Sequence, residues 1–300
     1  MANGGGAANM TISRRSIPAF LAFLAAGVGD PVARSAERTL RVMTFNVRLP
    51  VVQDGDNAWE QRRDLLVEVL ARARPDIIGA QELYRLQGDY MIEHLPGYAW
   101  FGQDRRGGHA DEHMGIFYRR DRLRLIDMGN FGLSDTPNVP GSITWGHLYP
   151  RSATWGLFED KATGGLFHVL NTHLPYRPED EEARCKGAAL IAGWIEGLPA
   201  GRPVVLLGDF NAAPQGGAYA TLSASLVDAR TAAPVAKGPD GTFHGFTGEP
   251  ERRIDWILTR GFEPRETRTI TTSRDGRYPS DHFPVLAILA SPANQVAGTR

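Results

Sequence analysis

Short apolar runs separated by glycine, proline and polar residues recur along the chain from residue 40 onward. Their length and their β-branched and aromatic content predict strands. The predicted strands cover residues 40–47, 76–79, 115–118, 153–158, 166–171, 203–208, 254–258 and 284–289. Two longer segments, residues 59–72 and 179–198, place apolar residues at helical spacing and predict helices. Strands that alternate with helical segments indicate a sheet-rich α/β protein.

The segment from residue 39 to residue 290 contains no internal repeat and no change of composition that would mark a linker. A chain of 300 residues with 42% hydrophobic residues can bury a large core. We therefore expect one domain over residues 39–290, followed by a tail at residues 291–300. The formal net charge of −1 argues against a global basic field for gripping long nucleic acid, although a local patch is compatible with it. The single cysteine, Cys185, excludes an intrachain disulfide.

Residues 1–35 follow a different pattern from the rest of the chain. Arg14 and Arg15 precede an apolar run at residues 17–29, and an Ala-Arg-Ser sequence at the end offers a small-x-small cleavage site. The run is too short to span a bilayer as a helix. The paired arginines resemble a twin-arginine signal, although an Ile-Pro pair stands where that signal prefers Phe and Leu. We expect an export signal and a periplasmic or secreted protein without a membrane anchor; a leader with a chance arginine pair would leave the protein cytoplasmic.

Polar residues follow at once where several predicted strands end. The runs "VMTFNVR", "DIIGAQEL", "FHVLNTHL" and "VVLLGDFN" close on amides, acids or a histidine. The run "YPSDHFPVLAIL" has the reverse order, as an antiparallel strand must to present its polar residues at the same edge. The polar residues at these strand ends are Asn46, Gln81, Glu82, Asn171, His173, Asp209, Asn211, Asp281 and His282. Segments that are distant in sequence are therefore expected to meet at one polar rim.

Each of these residues also has a purely structural interpretation. Taken alone, Asn46 is typical of a turn, Glu82 of an acid at a helix start, and His173 of a satisfied core histidine. The GDFN and SDH sequences can each form a local turn or cap. Asp255 is harder to explain, because a carboxylate inside the apolar run "RIDWIL" is costly to bury without a partner such as a histidine. The joint occurrence of all these features favours a functional site.

The donor types in this set indicate a class of reaction. Carboxylate and amide oxygens without a cysteine suit Mg²⁺ or Mn²⁺ better than a dedicated zinc site. Such ions bind one or two carboxylates together with substrate phosphate oxygens. Two histidines beside them can supply protons or positive charge to a phosphoryl transition state. Hydrolysis of a phosphate ester is the reaction that fits.

Seven ordered motifs resemble the endonuclease/exonuclease/phosphatase superfamily. They are "TFNVR", "PDIIGAQE", "GIFYRRD", "NTHL", "GDFN", "RIDWIL" and "SDHFPV", and they extend over about residues 39–290. This superfamily includes deoxyribonuclease I, exonuclease III, inositol polyphosphate 5-phosphatases, bacterial sphingomyelinases and a group of deadenylases. The resemblance, to an exported bacterial member, implies an α/β fold: a four-layer sandwich of two packed mixed β-sheets flanked by helices, with the active site at one end.

The resemblance also implies a divalent-metal ligand set and a role for each catalytic residue. Glu82 is expected to be the principal ligand of Mg²⁺ or Mn²⁺, helped by Asn46 and, on the same side, by Asp281. On the other side we expect catalytic roles in activating water and stabilising charge for Asp209, Asn211, His282, Asp255 and His173. In this scheme Asp209 orients or deprotonates the attacking water, Asn211 holds that water or a phosphate oxygen, and Asp255 orients His282. The second histidine, His173, contacts phosphate or assists the leaving group.

Three further residues are expected to contact the substrate phosphate: Tyr118, Asn171 and Arg151. Tyr118 matches a tyrosine that lines the phosphate site in the superfamily, and Arg151 matches an arginine common in one bacterial branch. Arg151 could equally form a structural ion pair. Glu112 and Asp111 are the nearest candidates for a carboxylate partner of His173.

The substrate stays open at this level. A nuclease would need a basic track, for which the candidates are Arg105, Arg106, Arg119, Arg120 and Arg177. A sphingomyelinase-type lipid phosphodiesterase would need an exposed apolar hairpin, and no apolar loop of that length is evident in the sequence. Small phosphorylated metabolites are the third choice. From a different class, a non-catalytic binding protein on the same fold would be expected to have lost at least one site residue. We expect a monomer with no protein partner.

Overall fold

The strands of the computed structural model follow the apolar runs of the sequence. The structure describes Met1 and residues 39–291, so the predicted export signal and all but the first residue of the tail lie outside the described residues. In chain order, β1 to β13 are Thr39–Asn46, Ile77–Leu83, Tyr98–Phe101, His113–Arg119, Leu123–Gly132, Ser152–Asp160, Leu166–His173, Val204–Asp209, Val227–Asp228, Val235–Lys237, Asp255–Arg260, Glu263–Thr269 and Val285–Ala290.

Five α-helices lie between these strands. In chain order, α1 to α5 are Trp59–Ala73, Arg85–His94, Glu181–Glu196, Gly217–Ser223 and Ala229–Ala232. Short 3₁₀ segments at Val52–Asn57, which is kinked at Gly55, and at Pro178–Asp180 precede α1 and α3. Both predicted helices are present, whereas α2 was not predicted because its buried side is largely Gln87, Gly88 and Met91. Among the described residues, no helix is long and apolar enough to cross a membrane.

The strands form two mixed sheets. The first sheet has seven strands in the order β10-β12-β13-β1-β2-β4-β3, and the second has six in the order β5-β6-β7-β8-β11-β9. The central pairs β1–β2 and β7–β8 are parallel, whereas β13 and β11 run antiparallel to β1 and β8. The C-terminal ends of four central strands and the N-terminal ends of two antiparallel ones therefore lie at sheet ends where their flanking residues can meet.

Alternating side chains bury both faces of each sheet. Val42 of β1 packs with Val205 and Leu207 of β8 in the core between the sheets. The intervening residue Met43 packs outward against α1 and α2, and Leu206 packs outward against α3 and α4. Period-two alternation thus produces the layers helix, sheet, sheet and helix. The predicted four-layer sandwich is confirmed.

The strands that sequence reasoning missed lack a continuous apolar run. β5 is an edge strand whose middle residues are exposed, and β12 carries four charged residues among its seven. β3 has only four residues. The segments 102–112 and 133–150 contain no named strand or helix. These strands were not predicted because they are short or buried on only one face, and the predicted fold class is unaffected.

A buried histidine on the outer face of the second sheet predicts acid sensitivity. His168 lies edge-on to Trp194 with ring centres 5.7 Å apart, and its Nδ1 has no hydrogen-bond partner among the described residues. Burial, with help from Arg202, lowers the pKa of His168 to about 4. Because the unfolded chain takes up this proton near pH 6.5, the stability from the neutral ring is complete above that pH and is lost as the pH falls towards 4.

His168→Phe keeps an aromatic ring and removes this titration. From pH 7 to pH 4.5 we expect the wild-type protein to lose about 2 kcal/mol more free energy of unfolding than the variant. Urea unfolding at both pH values measures the difference. An equal loss in both proteins would assign the acid sensitivity to other groups.

Candidate active site

The strand registers bring the predicted polar residues to one end of both sheets. In the first sheet Asn46 pairs with Gln81, at the ends of parallel strands β1 and β2. In the second sheet Asp209 pairs with both His173, at the end of β7, and Asp255, at the start of β11. The two sheets then meet directly, since Asn46 Nδ2 donates to Asp209 Oδ2 over 3.0 Å. The expected polar rim exists and spans the sandwich.

Asn46 links the two halves of this cluster. Its Nδ2 also donates to Glu82 Oε1 at 3.0 Å, and its Oδ1 accepts from the backbone N–H of Arg48. The side chain is fully buried. The amide nitrogen of Asn46 therefore fixes the carboxylates of Glu82 and Asp209 relative to each other. Its amide oxygen binds the neighbouring backbone.

Two site residues lie in the left-handed backbone region that non-glycine residues seldom adopt. Glu82 has φ of 56° and Asn211 has φ of 48°. At Glu82 the β2–β4 register shifts between Ala80 and Leu83, which marks a bulge. Bulges and such backbone conformations often aim side chains at functional sites, and each costs about 1 kcal/mol or more. This conformational cost is consistent with a functional requirement for the positions of the Glu82 and Asn211 side chains.

The first sheet contributes an acidic side to the site. Glu82 Oε2 accepts from the backbone N–H of Leu49 at 3.1 Å. Burial raises the pKa of Asp281, and the negative charge of Glu82 raises it further, while His282 and Arg48 act in the opposite direction. Arg48, held by Asp54, approaches the Oδ2 atom of Asp281 to 3.7 Å. Asp281 therefore lies in the negative field of Glu82, which His282, Arg48 and Arg62 partly compensate.

Asp209 occupies the centre of the second side. The carboxylate is buried, with Oδ1 accepting from the backbone N–H of Asn211 at 3.0 Å. Burial and the negative charge of Asp255 raise its pKa to about 7, although His282 and the hydrogen bond from Asn46 oppose the shift. A carboxyl group with this pKa is able to take up and release a proton near neutral pH.

His282 is held in an ion pair by Asp255. Its Nδ1 lies 2.9 Å from Asp255 Oδ2, and its Nε2 points to Asp209 Oδ2 at 3.7 Å. Burial lowers the pKa of His282, but attraction to Asp255 and Asp209 outweighs burial and raises the pKa to about 10. The ring of Phe243 packs edge-on against the imidazole. His282 is therefore an oriented imidazolium at neutral pH.

The trio of Asp209, Asp255 and His282 also has the spacing of a metal cluster, since one ligand atom of each lies within 4.8 Å of the others. Its electrostatics argue against this use. A protonated imidazole has no free lone pair for a cation, and its Nδ1 is already bound to Asp255. The acidic pair of Glu82 and Asp281 is a more suitable location for a cation.

His173 is the neutral counterpart of His282. Burial and the nearby charges of Arg151 and His282 lower its pKa well below the usual value. Asn211 Nδ2 lies 2.9 Å from His173 Nε2 and donates to it, which assigns the ring proton to Nδ1. That Nδ1 is buried and has no hydrogen-bond partner among the described residues. Neither Glu112 nor Asp111 pairs with His173; both bind Arg105 instead, so the expected carboxylate partner is wrong.

Tyr118, which is expected to contact phosphate, lies away from the site. Tyr118 pairs with Ile77 at the start of β2, the opposite end from Glu82, and its ring packs against Phe101 and Phe158. Tyr118 lies on the inner face of β4, but it is at the end of that strand that is farther from Glu82. The prediction for Tyr118 is therefore wrong.

Asn171 lies between the sheets, two residues before His173. Its Nδ2 donates to the carbonyl oxygens of Ala80 and Gly115, both at 2.9 Å, and its Oδ1 accepts from Gln81 Nε2. These bonds use both amide hydrogens and join the sheets. Asn171 is a structural cross-link, and the prediction of a phosphate contact is wrong.

Arg151 faces the cluster from just before β6. It is 5% exposed, and its Nη1 has no hydrogen-bond partner among the described residues. Burial lowers its pKa, whereas Glu112, Glu82 and Asp209 are the acids that oppose this shift. An unpaired cationic donor beside these carboxylates is available to an anion.

Arg62 is a structural residue near the site that the sequence did not predict. Its fully buried guanidinium donates to the carbonyl oxygens of Val47, Arg48 and Pro279 at 2.6–2.9 Å. It therefore ties the segment after Asn46 to the segment before Asp281. The periodicity of α1 offered a signal, because Arg62 shares the buried face of Trp59 and Leu66.

Gly208 permits close approach of β8 to β7 at the site. A methyl group on Gly208 would lie 2.6 Å from the carbonyl oxygen of Thr172. We expect Gly208→Ala to lower the free energy of unfolding by about 1–3 kcal/mol and to reduce activity by displacing Asp209. Gly193→Ala in α3 is the matched control, because nothing lies within 4 Å of the added methyl group and alanine favours a helix. Chemical denaturation of both variants tests this, and equal stability of the two would contradict it.

This architecture, two packed sheets with acids, amides and histidines meeting at one end, is that of the phosphoesterase and nuclease type. The chain belongs to the endonuclease/exonuclease/phosphatase family, whose sequence model matches residues 43–282. The resemblance drawn from the sequence motifs is confirmed at the level of the family.

Solved structures of similar proteins cover nearly the whole of the described region. A family member from Bacteroides thetaiotaomicron is 31% identical, with a TM-score of 0.80 over 85% of this chain and 98% of that one. A mannosyl-6-phosphatase from the same organism is 32% identical, with a TM-score of 0.78 over 84% of this chain and 99% of that one. Mouse nocturnin is 23% identical over 83% of this chain and 64% of nocturnin. The chain spans about two fifths to two thirds of the length of the curated relatives that it matches.

Proposed function

We propose that this protein is a divalent-metal-dependent phosphohydrolase that cleaves a phosphoester by in-line attack of an activated water. The environment of Asp209 carries the proposal. Its Oδ2 lies 3.0 Å from Asn46 Nδ2, 3.4 Å from His173 Nε2 and 3.7 Å from His282 Nε2. One carboxylate therefore stands between the acidic side of the site and two histidines that can contact a phosphate.

The acidic side fits a hard divalent cation. The negative charge of Glu82 helps to raise the pKa of the Asp281 carboxyl, and a cation bound between the two would relieve this repulsion. Carboxylate oxygens are the ligands that Mg²⁺ and Mn²⁺ prefer. Glu82 and Asp281 would hold the ion, and Asn46 would orient Glu82 by its hydrogen bond. A bound ion would polarise the phosphoryl oxygens and neutralise part of their charge.

Asp209 has the position and the pKa of a general base. Hydrogen bonds from Asn46 and from the Asn211 backbone fix both carboxylate oxygens. With a pKa of about 7, the group can accept a proton from a water that attacks phosphorus. Asn211 has its side-chain amide bound to His173 and to the carbonyl oxygen of Leu174, so its role is to position His173. This modifies the sequence-based expectation that Asn211 itself holds the water.

Three donors can stabilise the charge that develops on the phosphoryl group. His282 presents an imidazolium Nε2 held from behind by Asp255. Arg151 has an unpaired Nη1, and His173 has an unpaired Nδ1 among the described residues. Fixed donors in a buried site stabilise such charge without having to reorganise. The damage to at least one site residue that a non-catalytic binding protein would predict is not found at Glu82, Asp209 or His282.

The comparisons support small phosphomonoesters ahead of nucleic acid as substrates. The mannosyl-6-phosphatase is 32% identical to this chain, whereas nocturnin is 23% identical. An extracellular nuclease and a sphingomyelinase-type phosphodiesterase are the alternatives within the family. Hexose 6-phosphates, DNA, RNA and sphingomyelin assayed side by side separate these choices.

Chelation tests the metal requirement. We expect p-nitrophenyl phosphate or its bis-ester to be hydrolysed with Mg²⁺ or Mn²⁺ and the rate to fall by about a hundredfold or more in EDTA, with recovery after the ion is restored. Glu82→Gln, which keeps the shape of Glu82 and removes its charge, should require a higher metal concentration for half-maximal rate. Activity unchanged in EDTA would contradict the metal requirement and leave the hydrolytic reaction to be explained by protein groups alone.

We further propose that the protein is exported, on the support of the Arg14–Arg15 pair and the apolar run that follows it. Cell fractionation of the full chain and of a variant with Lys at both arginines tests this. Export of the wild-type chain alone supports a twin-arginine route, and retention of both proteins in the cytoplasm contradicts it.

A further inference from the structure

A second group of polar and aromatic residues adjoins the proposed phosphate site on the side of β4 and β6. We call Arg105, Glu112, Tyr149 and Arg151 the 105–151 wall. Arg105 Nη1 lies 3.0 Å from Glu112 Oε1, and the guanidinium of Arg105 stacks 4.7 Å from the centre of the Tyr149 ring. Tyr149 precedes Arg151 by two residues. The wall therefore leads from Arg151, on the phosphate side of the site, to an exposed tyrosine.

The buried part of the wall has unused hydrogen-bonding capacity. Arg105 and Arg151 are 8% and 5% exposed, and Nε of Arg105 and Nη1 of Arg151 have no hydrogen-bond partner among the described residues. Unpaired buried donors are rare in folded proteins unless a ligand or water completes them. Glu112 Oε1 lies 3.0 Å from Arg105 Nη1, and a carboxylate so placed can accept further hydrogen bonds.

The outer part of the wall presents an aromatic face. Tyr149 is 42% exposed, although one face of its ring is covered by Arg105. The ring belongs to the long loop that ends at Arg151, and Arg105 belongs to the loop before β4. A ring held in place on one side and open on the other is suited to pack against a flat apolar surface of a ligand.

The charges of the wall disfavour a polyanion. Arg105 is paired with Asp111 and Glu112, and Arg106 is paired with Asp111. These ion pairs leave no run of free cations for a nucleic-acid backbone, which would instead approach two carboxylates. A neutral polyhydroxylated group meets no such repulsion, and its hydroxyls can donate to a carboxylate.

From these observations, and on the basis of the proposed function, we propose that the 105–151 wall binds the alcohol part of the substrate and that this part is a sugar ring. Tyr149 packs against the C–H face of the ring, and Glu112, braced by Arg105, accepts hydrogen bonds from ring hydroxyls. Arg151 binds the phosphate at the inner end of the wall. Tyr149 and Glu112 are thus assigned to substrate specificity.

The test compares substrates with and without a ring. With Mg²⁺ present, kcat/KM is measured for mannose 6-phosphate, glucose 6-phosphate and methyl phosphate. In Tyr149→Ala we expect the ratio of hexose phosphate to methyl phosphate to fall about tenfold, the scale of a lost aromatic contact. Tyr149→Phe keeps the ring and should keep the ratio, and Glu112→Gln should lower it severalfold. Val235→Ala, an exposed apolar residue of β10 at the opposite edge of the first sheet, is the control.

Three outcomes contradict the proposal in different ways. An unchanged ratio in Tyr149→Ala and Glu112→Gln, with active wild-type enzyme, overturns the wall and leaves the hydrolase intact. A tenfold loss in Tyr149→Ala on a short single-stranded oligonucleotide, without a change in the hexose ratio, makes Tyr149 a platform for nucleobases. A wild-type protein that hydrolyses no phosphoester overturns the proposed function, and this inference with it.

Discussion

Replacing Asp209 with asparagine is expected to lower kcat/KM for phosphoester hydrolysis by about a thousandfold or more. The variant keeps the size of the side chain and can keep the hydrogen bond from the Asn211 backbone. It loses the proton-accepting group and the charge that lies between Asn46 and the two histidines. Steady-state kinetics with Mg²⁺ on a chromogenic phosphate ester measure the loss.

Asp228 supplies a matched control for this substitution. It is also a buried aspartate at a strand end in the second sheet, but it pairs with Arg253 and Tyr219 outside the site. We expect Asp228→Asn to lower the free energy of unfolding and to leave kcat within about threefold of the wild type. An Asp209→Asn protein that is folded and keeps more than about a tenth of wild-type activity would remove Asp209 from the mechanism.

The second large effect is expected at His282. His282→Asn removes the imidazolium that faces the phosphoryl group, and we expect a loss of about a hundredfold to a thousandfold in kcat. Asp255→Asn should cost less, about tenfold to a hundredfold, because it leaves the ring in place but removes the carboxylate that orients and charges it. His168→Phe, at a buried histidine outside the site, is the control for loss of a histidine.

A double-mutant cycle tests whether Asp255 and His282 act together as an ion pair or contribute to activity independently. If Asp255 acts only through His282, the double variant should be no less active than His282→Asn alone. Losses that simply multiply would mean that Asp255 contributes to activity by another route. Circular dichroism and thermal unfolding of each variant exclude a folding defect as the cause.

The sequence was sufficient for the fold class and for most of the polar rim. The buried strand β8 begins with a continuous apolar run and β1 is apolar at alternate positions, and their C-terminal residues, Asp209 and Asn46, are placed by strand direction alone. Strand direction requires no knowledge of which strands are neighbours. For that reason the rim could be predicted before the sheet order was known.

Positions along a strand could not be predicted in the same way. Tyr118 and Glu112 share a face of the chain around β4, but the β2–β4 register puts Tyr118 opposite Ile77 and places the start of the strand beside Leu83. Similarly, Asn171 shares a face with His173 and lies two residues deeper in the sandwich, where it joins the sheets. The alternation of side chains along a strand predicts which face of the sheet a residue lies on. How far that residue lies from the end of the sheet depends on pairing between strands that are distant in sequence.

The burial of Arg105 could not be predicted from the sequence for a different reason. Arg105 looked like one member of a surface basic track, but it is buried and pairs with Asp111 and Glu112. Its role depends on a loop whose conformation is set by Asp104, which accepts backbone hydrogen bonds from Arg106, Gly108, Ala110 and Asp111. No periodic pattern reports a loop of this kind. Arg62 was predictable in part, since it lies on the buried face of α1.

The most direct test of the central claim is the fate of the oxygen of the attacking water. The protein is given a phosphate ester with Mg²⁺ in water labelled with heavy oxygen, and the products are analysed by mass spectrometry. Attack of one activated water on phosphorus predicts a single labelled oxygen in the phosphate product, none in the alcohol, and product formation that is about a thousandfold slower with Asp209→Asn. Label in the alcohol, or turnover that is unchanged in Asp209→Asn, would contradict the proposed site and its mechanism.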